Sequence, residues 1–335
     1  MCAFIQRILL QKNPRRIWRS DLAHGDDDQR GRPKERPDRF GVGSFRDAIC
    51  ISAIVSAHAR TLSWKRSVGI LFADAFDVYP WFPRSDDEKR LSAFTPALAA
   101  IHEVKQLRAQ PSPALGRREL SVVDCDRVLL NAILTRWENH FVNESETVED
   151  RRLFRSLEMA RAASKMPGGS DATLHDRGRA VALWISAFEI LAHDGHSDLG
   201  RVLALLRRVD WRSKKMKISD RTVWHKKKSI HTNVAGGVYK VLYDARNKFL
   251  HGEPVTPETL RVSPCNKQAL HFAAPLFRLA LTAYLNLAAS KAVPASVDSP
   301  DYARLISERI GFYNPQSEAE DAMLMADSEP KASRV

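Results

Sequence analysis

The chain has 335 residues, of which 44% are hydrophobic and 27% charged, with a formal net charge of +12 and a pI near 9.7. That length and apolar content suffice for one large core or two smaller ones, as in a soluble globular protein, and no uncharged apolar run approaches the roughly 18 residues of a bilayer span. The basic balance favours a polyanionic partner such as nucleic acid, without deciding the fold.

Cys2, Cys50, Cys125 and Cys265 stand far apart, which argues against a zinc ribbon or a disulfide framework and points to a reducing cytoplasm. Residues 1–44 mix both charge signs with Pro14, Pro33 and Pro37 and read as a disordered, charged arm. The apolar start, Met1–Leu10, is broken by Gln6 and Arg7 and has no cleavage site behind it, so the chain reads as untargeted.

Residues 45–116 read as a small N-terminal unit, mixed or helical. Phe45–Leu62 is apolar enough for a helix, and Val68–Phe76 suits either a strand or a buried helix. Tyr79-Pro80-Trp81-Phe82-Pro83 forms an aromatic turn, a small core or interdomain plug. Thr95-Pro96 resembles a helix start, with Leu98, Ile101, Val104 and Leu107 on one face.

Residues 120–290 read as helices throughout, and the fold class is mainly α. Leu130, Ile133, Trp137 and Phe141 form one stripe; Leu153, Phe154, Leu157 and Ala160 form a second, ending before Pro167-Gly168-Gly169. The next helix, from about Arg179 to His193, is apolar nearly all round and should be central. Leu199–Val209 follows, and a last helix from Lys267 to Ser290 contains Pro275 as a kink. Loops of modest length suit a bundle. Residues 291–335, acidic with Pro294, Pro300 and Pro315, read as a flexible tail able to screen a basic face.

Between Arg201 and Lys228 eleven basic residues stand against Asp210 and Asp220. Arg212, Lys214, Lys215, Lys217, Arg221, Lys226, Lys227 and Lys228 are the candidate RNA contacts, and Trp211 and Trp224, interleaved among them, offer indoles to an unpaired base. A solvated basic face is the competing reading. His193, His196, His225 and His231 lack the converging partners of a metal site and read as surface residues, so no metal or cofactor is expected. No phosphate-binding glycine loop accompanies Gly168-Gly169 or Gly236-Gly237.

The most informative stretch is Arg246-Asn247-Lys248-Phe249-Leu250-His251-Gly252. Val238, Leu242, Ala245 and Phe249 recur at helical spacing, and Gly252 and Pro254 supply a left-handed cap and a stop, so His251 sits at a helix C-terminus. Asn247 and His251 share a face, whereas Arg246 lies about 140° away around an ideal helix. Convergence of Arg246 and His251 therefore needs a second copy of the helix or an unwound last turn. Glu189 sits in the apolar run Trp184–Leu191, where a carboxylate is costly unless paired, and Arg246 is its candidate partner.

Tyr243-Asp244-Ala245-Arg246-Asn247-Lys248-Phe249-Leu250-His251-Gly252 resembles the signature of the HEPN superfamily, an Arg, a polar residue, three variable residues and a His, and the trailing Gly resembles its ApeA-like branch. The resemblance implies an all-α bundle that dimerises and often acts as a metal-independent endoribonuclease, in a defence or toxin role. It implies Arg246 and His251 as catalytic residues and Asn247 as the polar member, with Glu189 in the corresponding helix and Lys248 in support. The expected partners are RNA and a second copy, with no membrane; a regulatory partner is left unspecified. Two alternatives stay open: a catalytically inactive HEPN-like RNA-binding or dimerisation module, and a structural helical protein in which Arg246, Asn247 and His251 only cap or bridge a bundle.

Overall fold

The computed structural model describes residues 38–64, 69–76, 81–83, 91–94, 101–104, 122–143, 145–165, 172–193, 198–288 and 302–328. They fall into two compact units, divided so that Asp74–Ser121 lies in the smaller. There Trp81–Pro83 (β1), Leu91–Phe94 (β2) and Ile101–Val104 (β3) form an antiparallel sheet in the order β1-β2-β3, with Phe82 opposite Ser92 and Leu91 opposite Val104. The helix expected through Ile101 and Val104 is thus corrected to a strand: both residues are β-branched, and their backbone groups pair across a ladder. Thr95, Pro96, Leu98 and Leu107 lie outside the described residues. Of Val68–Phe76, the segment left open between strand and helix, Ala73–Phe76 forms a 3₁₀ turn.

The larger unit is an α-helical bundle. Asp38–Trp64 (α1) runs from before the boundary expected at residue 45, and it belongs to this bundle, not to the small N-terminal unit. Every residue from Asp47 to Ala57 is buried, which only a central helix can sustain. Arg127–Trp137 (α2) continues into a π-helical turn over Glu138–Val142. The Trp137 indole donates to the Gly41 carbonyl at 2.8 Å and meets Phe45 edge-on, fixing the start of α1. The arm expected over residues 1–44 therefore ends by Asp38; residues 1–37 lie outside the described ones.

Val148–Ser164 (α3) and Leu174–Ala192 (α4) pack side by side, and Ser156 donates to the Ala187 carbonyl at 2.7 Å. As its composition requires, α4 buries Val181, Trp184, Ile185, Phe188 and Leu191, and a Thr173/Asp176 capping box begins it. Leu199–Arg207 (α5), the one-turn Lys214–Lys217 (α6) and the strands Arg221–His225 (β4) and Lys228–Thr232 (β5) follow. The stretch read as a basic connector is thus a helical turn and an antiparallel hairpin.

Val234–His251 (α7) carries Arg246, Asn247 and His251, and it packs on α4. After a short ladder between Arg261–Val262 (β6) and Lys267–Gln268 (β7), Leu270–Tyr284 (α8) passes through the core; it accommodates Pro275 without ending. The tail expected from residue 291 is corrected in part: Tyr302–Leu324 (α9) is a helix that buries Phe312, Gln316, Ala319, Glu320, Ala322 and Met323. Its anchor is polar. Fully buried Arg278 donates from Nε to Asp126 Oδ2 at 2.7 Å and from Nη1 to Gln316 Oε1 at 2.6 Å. Gln316 donates in turn to Glu320 at 2.8 Å, and Glu320 accepts the Arg212 and Ser213 backbone N–H groups at 2.8 and 2.7 Å. A polar residue rarely enters a core without such partners, and these are what the acidic, proline-marked composition of the tail hid.

Candidate functional site

The end of α7 is set by backbone chemistry legible in the sequence. Gly252 adopts φ +69°, a left-handed cap, and its N–H bonds to the Lys248 carbonyl. The helix stays regular through His251, so the last turn is not unwound, and Arg246 and His251 point about 140° apart within one chain. A second glycine lets α7 approach α4. At Gly178 an added Cβ would stand 2.6 Å from the Phe249 ring, so only glycine admits that ring.

Arg246 is gathered by its neighbours. Its Nη2 lies 3.6 Å from Glu189 Oε2, and its Nη1 donates to Asn247 Oδ1 at 3.0 Å. Glu189 belongs to α4, so the expected pairing across the two helices is present. Burial pushes the Glu189 carboxyl above its ordinary range, and the Arg246 guanidinium draws it part of the way back. The arginine side chain keeps 26% of its surface open against 11% for the glutamate, so the arginine is the more accessible member of the pair. His251 is exposed and lies outside this cluster; Lys248 is half-buried.

Behind the pair stands a layer that sequence reasoning missed. Tyr239, two turns before Arg246, is fully buried against Phe188, and its hydroxyl has no hydrogen-bond partner among the described residues. Burial raises its pKa well above the ordinary phenol value, and the Glu189 charge adds to the rise. Tyr243 meets the His225 ring edge-on at 5.7 Å, and His225 Nε2 lies 2.7 Å from Asp198 Oδ1. His225 is therefore a tucked-in contact between the hairpin and α7, not the surface histidine expected. Two signals could have found this layer: Asp198 precedes the apolar run of α5 as its N-cap, and Tyr239, Tyr243 and Asn247 recur every fourth residue on one face.

The basic residues divide. Lys214, Lys215, Lys217, Lys227 and Lys228 are exposed, and Lys226 is exposed too, 3.7 Å from Asp198. Arg212, exposed as well, lies over the Tyr313 ring at 4.4 Å and donates to the Tyr313 carbonyl at 3.0 Å, while Arg221 pairs with Asp327. Both arginines thus serve the C-terminal segment. The indoles divide likewise: Trp211 is buried at 7% exposure and cannot meet a base, whereas Trp224 is 65% exposed.

Among the described residues no group of three or more His, Cys, Asp and Glu side chains could hold a metal ion, and no helix is long and apolar enough to cross a membrane. A cavity of about 130 Å³ is lined by Trp211, Met216, Arg207, Lys217, Thr232 and Asn233, and the Asn233 amide there donates to the Met216 carbonyl and accepts from the Gly236 N–H. No protein-family model matches the chain, and neither a curated protein nor a solved structure matches it. The residues define a mainly helical bundle that presents an arginine, an amide and an exposed histidine on the last turns of one helix, close to a basic hairpin.

Proposed function

We propose that the protein is a HEPN-like endoribonuclease that cuts RNA by attack of the 2′-hydroxyl on the adjacent phosphorus. The observation that carries this reading is Arg246: a cation steadied by Glu189 and Asn247 on a side chain still partly exposed, on the helix that ends at His251. In the reaction, one His251 accepts the 2′-hydroxyl proton as the 2′-oxygen bonds to phosphorus, and the His251 of a second copy gives a proton to the leaving 5′-oxygen. Arg246 stabilises the charge that builds on the non-bridging oxygens. The P–O5′ bond breaks, leaving a 2′,3′-cyclic phosphate and a 5′-hydroxyl. Asn247 holds the Arg246 guanidinium through its amide oxygen, a positioning role.

Because Arg246 and His251 diverge along one regular helix, the reading includes a homodimer in which two α7 helices meet about a two-fold axis and pool their groups. The same divergence favours the second reading, an inactive RNA-binding or dimerisation module, should the helices not meet. Incubating RNA with the protein in a chelator decides between them. Cleavage by the wild type, lost in His251→Ala with RNA binding retained, supports the nuclease; undiminished cleavage by His251→Ala overturns the assignment. Binding without turnover under any condition supports the module.

A further inference from the structure

The β4–β5 hairpin carries a feature that neither the signature helix nor the bundle core uses. Its two-residue turn, Lys226-Lys227, has φ of +47° and +62°, the left-handed conformations of a type I′ turn. Asn-Gly or Gly-Gly meets that demand without strain; a side chain with a Cβ costs roughly 1–2 kcal/mol per residue. Lysines held at such a cost put two cations at the tip, and Lys228 adds a third. Lys227 and Lys228 have no ion-pair partner among the described residues.

Strand alternation sorts the side chains behind the tip. Val223 and His225 face inward: Val223 is buried, and His225 is wedged between Asp198 and Tyr243. Trp224 faces the other way, opposite Ser229, with Thr222 and His231 two positions behind it on the same face. Thr222 Oγ1 lies 3.3 Å from His231 Nδ1, closing a low polar floor beside the indole. Among the described residues the two strands place only Thr222, Ser229 and His231 beside the indole on that face, and the ring is left 65% exposed. Nor is the hairpin loosely mounted: Arg207 donates to the His231 carbonyl at 2.6 Å, and the His225–Tyr243 contact seats it on the helix that carries Arg246, one turn away.

We propose that this hairpin is a binding site for single-stranded nucleic acid. The Trp224 indole stacks on one unpaired base, and Lys226, Lys227 and Lys228 take the phosphates beside it. An indole face accepts any base, but in a duplex every base face is already covered by its neighbours, so the site selects unpaired strands. The three lysines give the charge complementarity; one aromatic ring on a two-stranded ribbon lacks the broad apolar face with which an interfacial helix enters a bilayer. The inference deepens the RNA reading above and rests on it for the identity of the polyanion, but it concerns binding alone. The strand held by Trp224 would be delivered to Arg246 as an unpaired segment.

The test is fluorescence anisotropy with a labelled oligodeoxynucleotide, single-stranded or annealed to its complement, so that absence of the 2′-hydroxyl prevents cleavage. The wild type should bind the single strand more tightly than the duplex. Trp224→Ala should weaken single-strand binding about tenfold and move duplex binding by no more than about twofold, while Trp224→Phe should keep most of the affinity. The triple variant Lys226→Ala/Lys227→Ala/Lys228→Ala should weaken both and reduce the single-strand salt slope by about two. Unchanged single-strand affinity in Trp224→Ala overturns the site, as does binding of phosphatidylserine vesicles with no binding of either oligonucleotide. If the variants show these shifts but the wild type cuts no RNA, the nuclease reading fails and the binding site stands.

Discussion

Arg278 and Arg246 each face a carboxylate from another part of the bundle, yet their surroundings assign them different work. Arg278 and Asp126 are 1% and 0% exposed and 2.7 Å apart, with Gln316 on a second nitrogen and the Phe312 ring 5.8 Å from the guanidinium carbon. That cation is enclosed, and its partners belong to the start of α2 and the middle of α9. Arg246 and Glu189 stand 3.6 Å apart, more open, on a helix end whose next turn is solvent-exposed. An arginine locked in the core tells helices where to sit; an arginine held loosely at a helix end can still turn toward a phosphate. The two pairs show why an arginine–carboxylate contact by itself says little about function, and why openness and location decide it.

The largest expected effect separates the pairs by stability. Arg278→Ala leaves Asp126 buried without its cation and should cost about 3–5 kcal/mol, read by chemical denaturation. Arg246→Ala should cost no more than about 1 kcal/mol by the same measurement, because the pair it breaks is partly open to water. Comparable losses in the two variants would erase the distinction. Activity should divide them in the opposite sense: Arg246→Ala should cut RNA about 100-fold or more slowly while its melting stays close to wild type, as when a stabilising donor to a developing oxyanion is lost. A folded Arg246→Ala enzyme at full rate would make the open pair merely structural.

A smaller effect concerns pH. The folded carboxyl of Glu189 titrates above its ordinary value of 4.5 because of burial, countered in part by Arg246. Between the unfolded and folded values the native state holds more protons, so stability falls as pH rises through that window and is level above it. Glu189→Gln should remove this decline, matching wild type at acid pH and exceeding it in stability at neutral pH. Cleavage should fall in the same variant, about tenfold, because Arg246 loses its anchor. A pH–stability curve identical to wild type would show that Glu189 is solvated in the folded chain.

What the sequence made legible follows from how local each signal is. The α7 cap is a matter of Gly252 and its neighbours, and the Glu189–Arg246 pair follows from one carboxylate stranded in an apolar helix; both are present. The start of α1 and all of α9 escaped because charged or acidic composition and prolines suggested loose ends, whereas the Trp137 bond to Gly41 and the Arg278, Arg212 and Ser213 bonds to Gln316 and Glu320 come from distant parts of the chain. The strand through Ile101 and Val104 escaped because three-residue spacing fits a helix until a neighbouring strand offers a ladder. Trp211 and Trp224 look alike in sequence; one fills the bundle beside α6 and the other stands on a hairpin face, a difference that β4–β5 register settles. His225 looked like one more basic residue in a basic run, since its partners Asp198 and Tyr243 are distant in the chain.

The most direct test of the central reading is the chemistry of the cut end. Labelled RNA and the same strand with every 2′-hydroxyl replaced by hydrogen should be incubated with the wild-type protein in a chelator and the products analysed by mass. Cleavage of the RNA alone, with fragments ending in a 2′,3′-cyclic phosphate, is the predicted result. Cleavage of the 2′-deoxy strand, or fragments carrying a 5′-phosphate and a free 3′-hydroxyl, would contradict it.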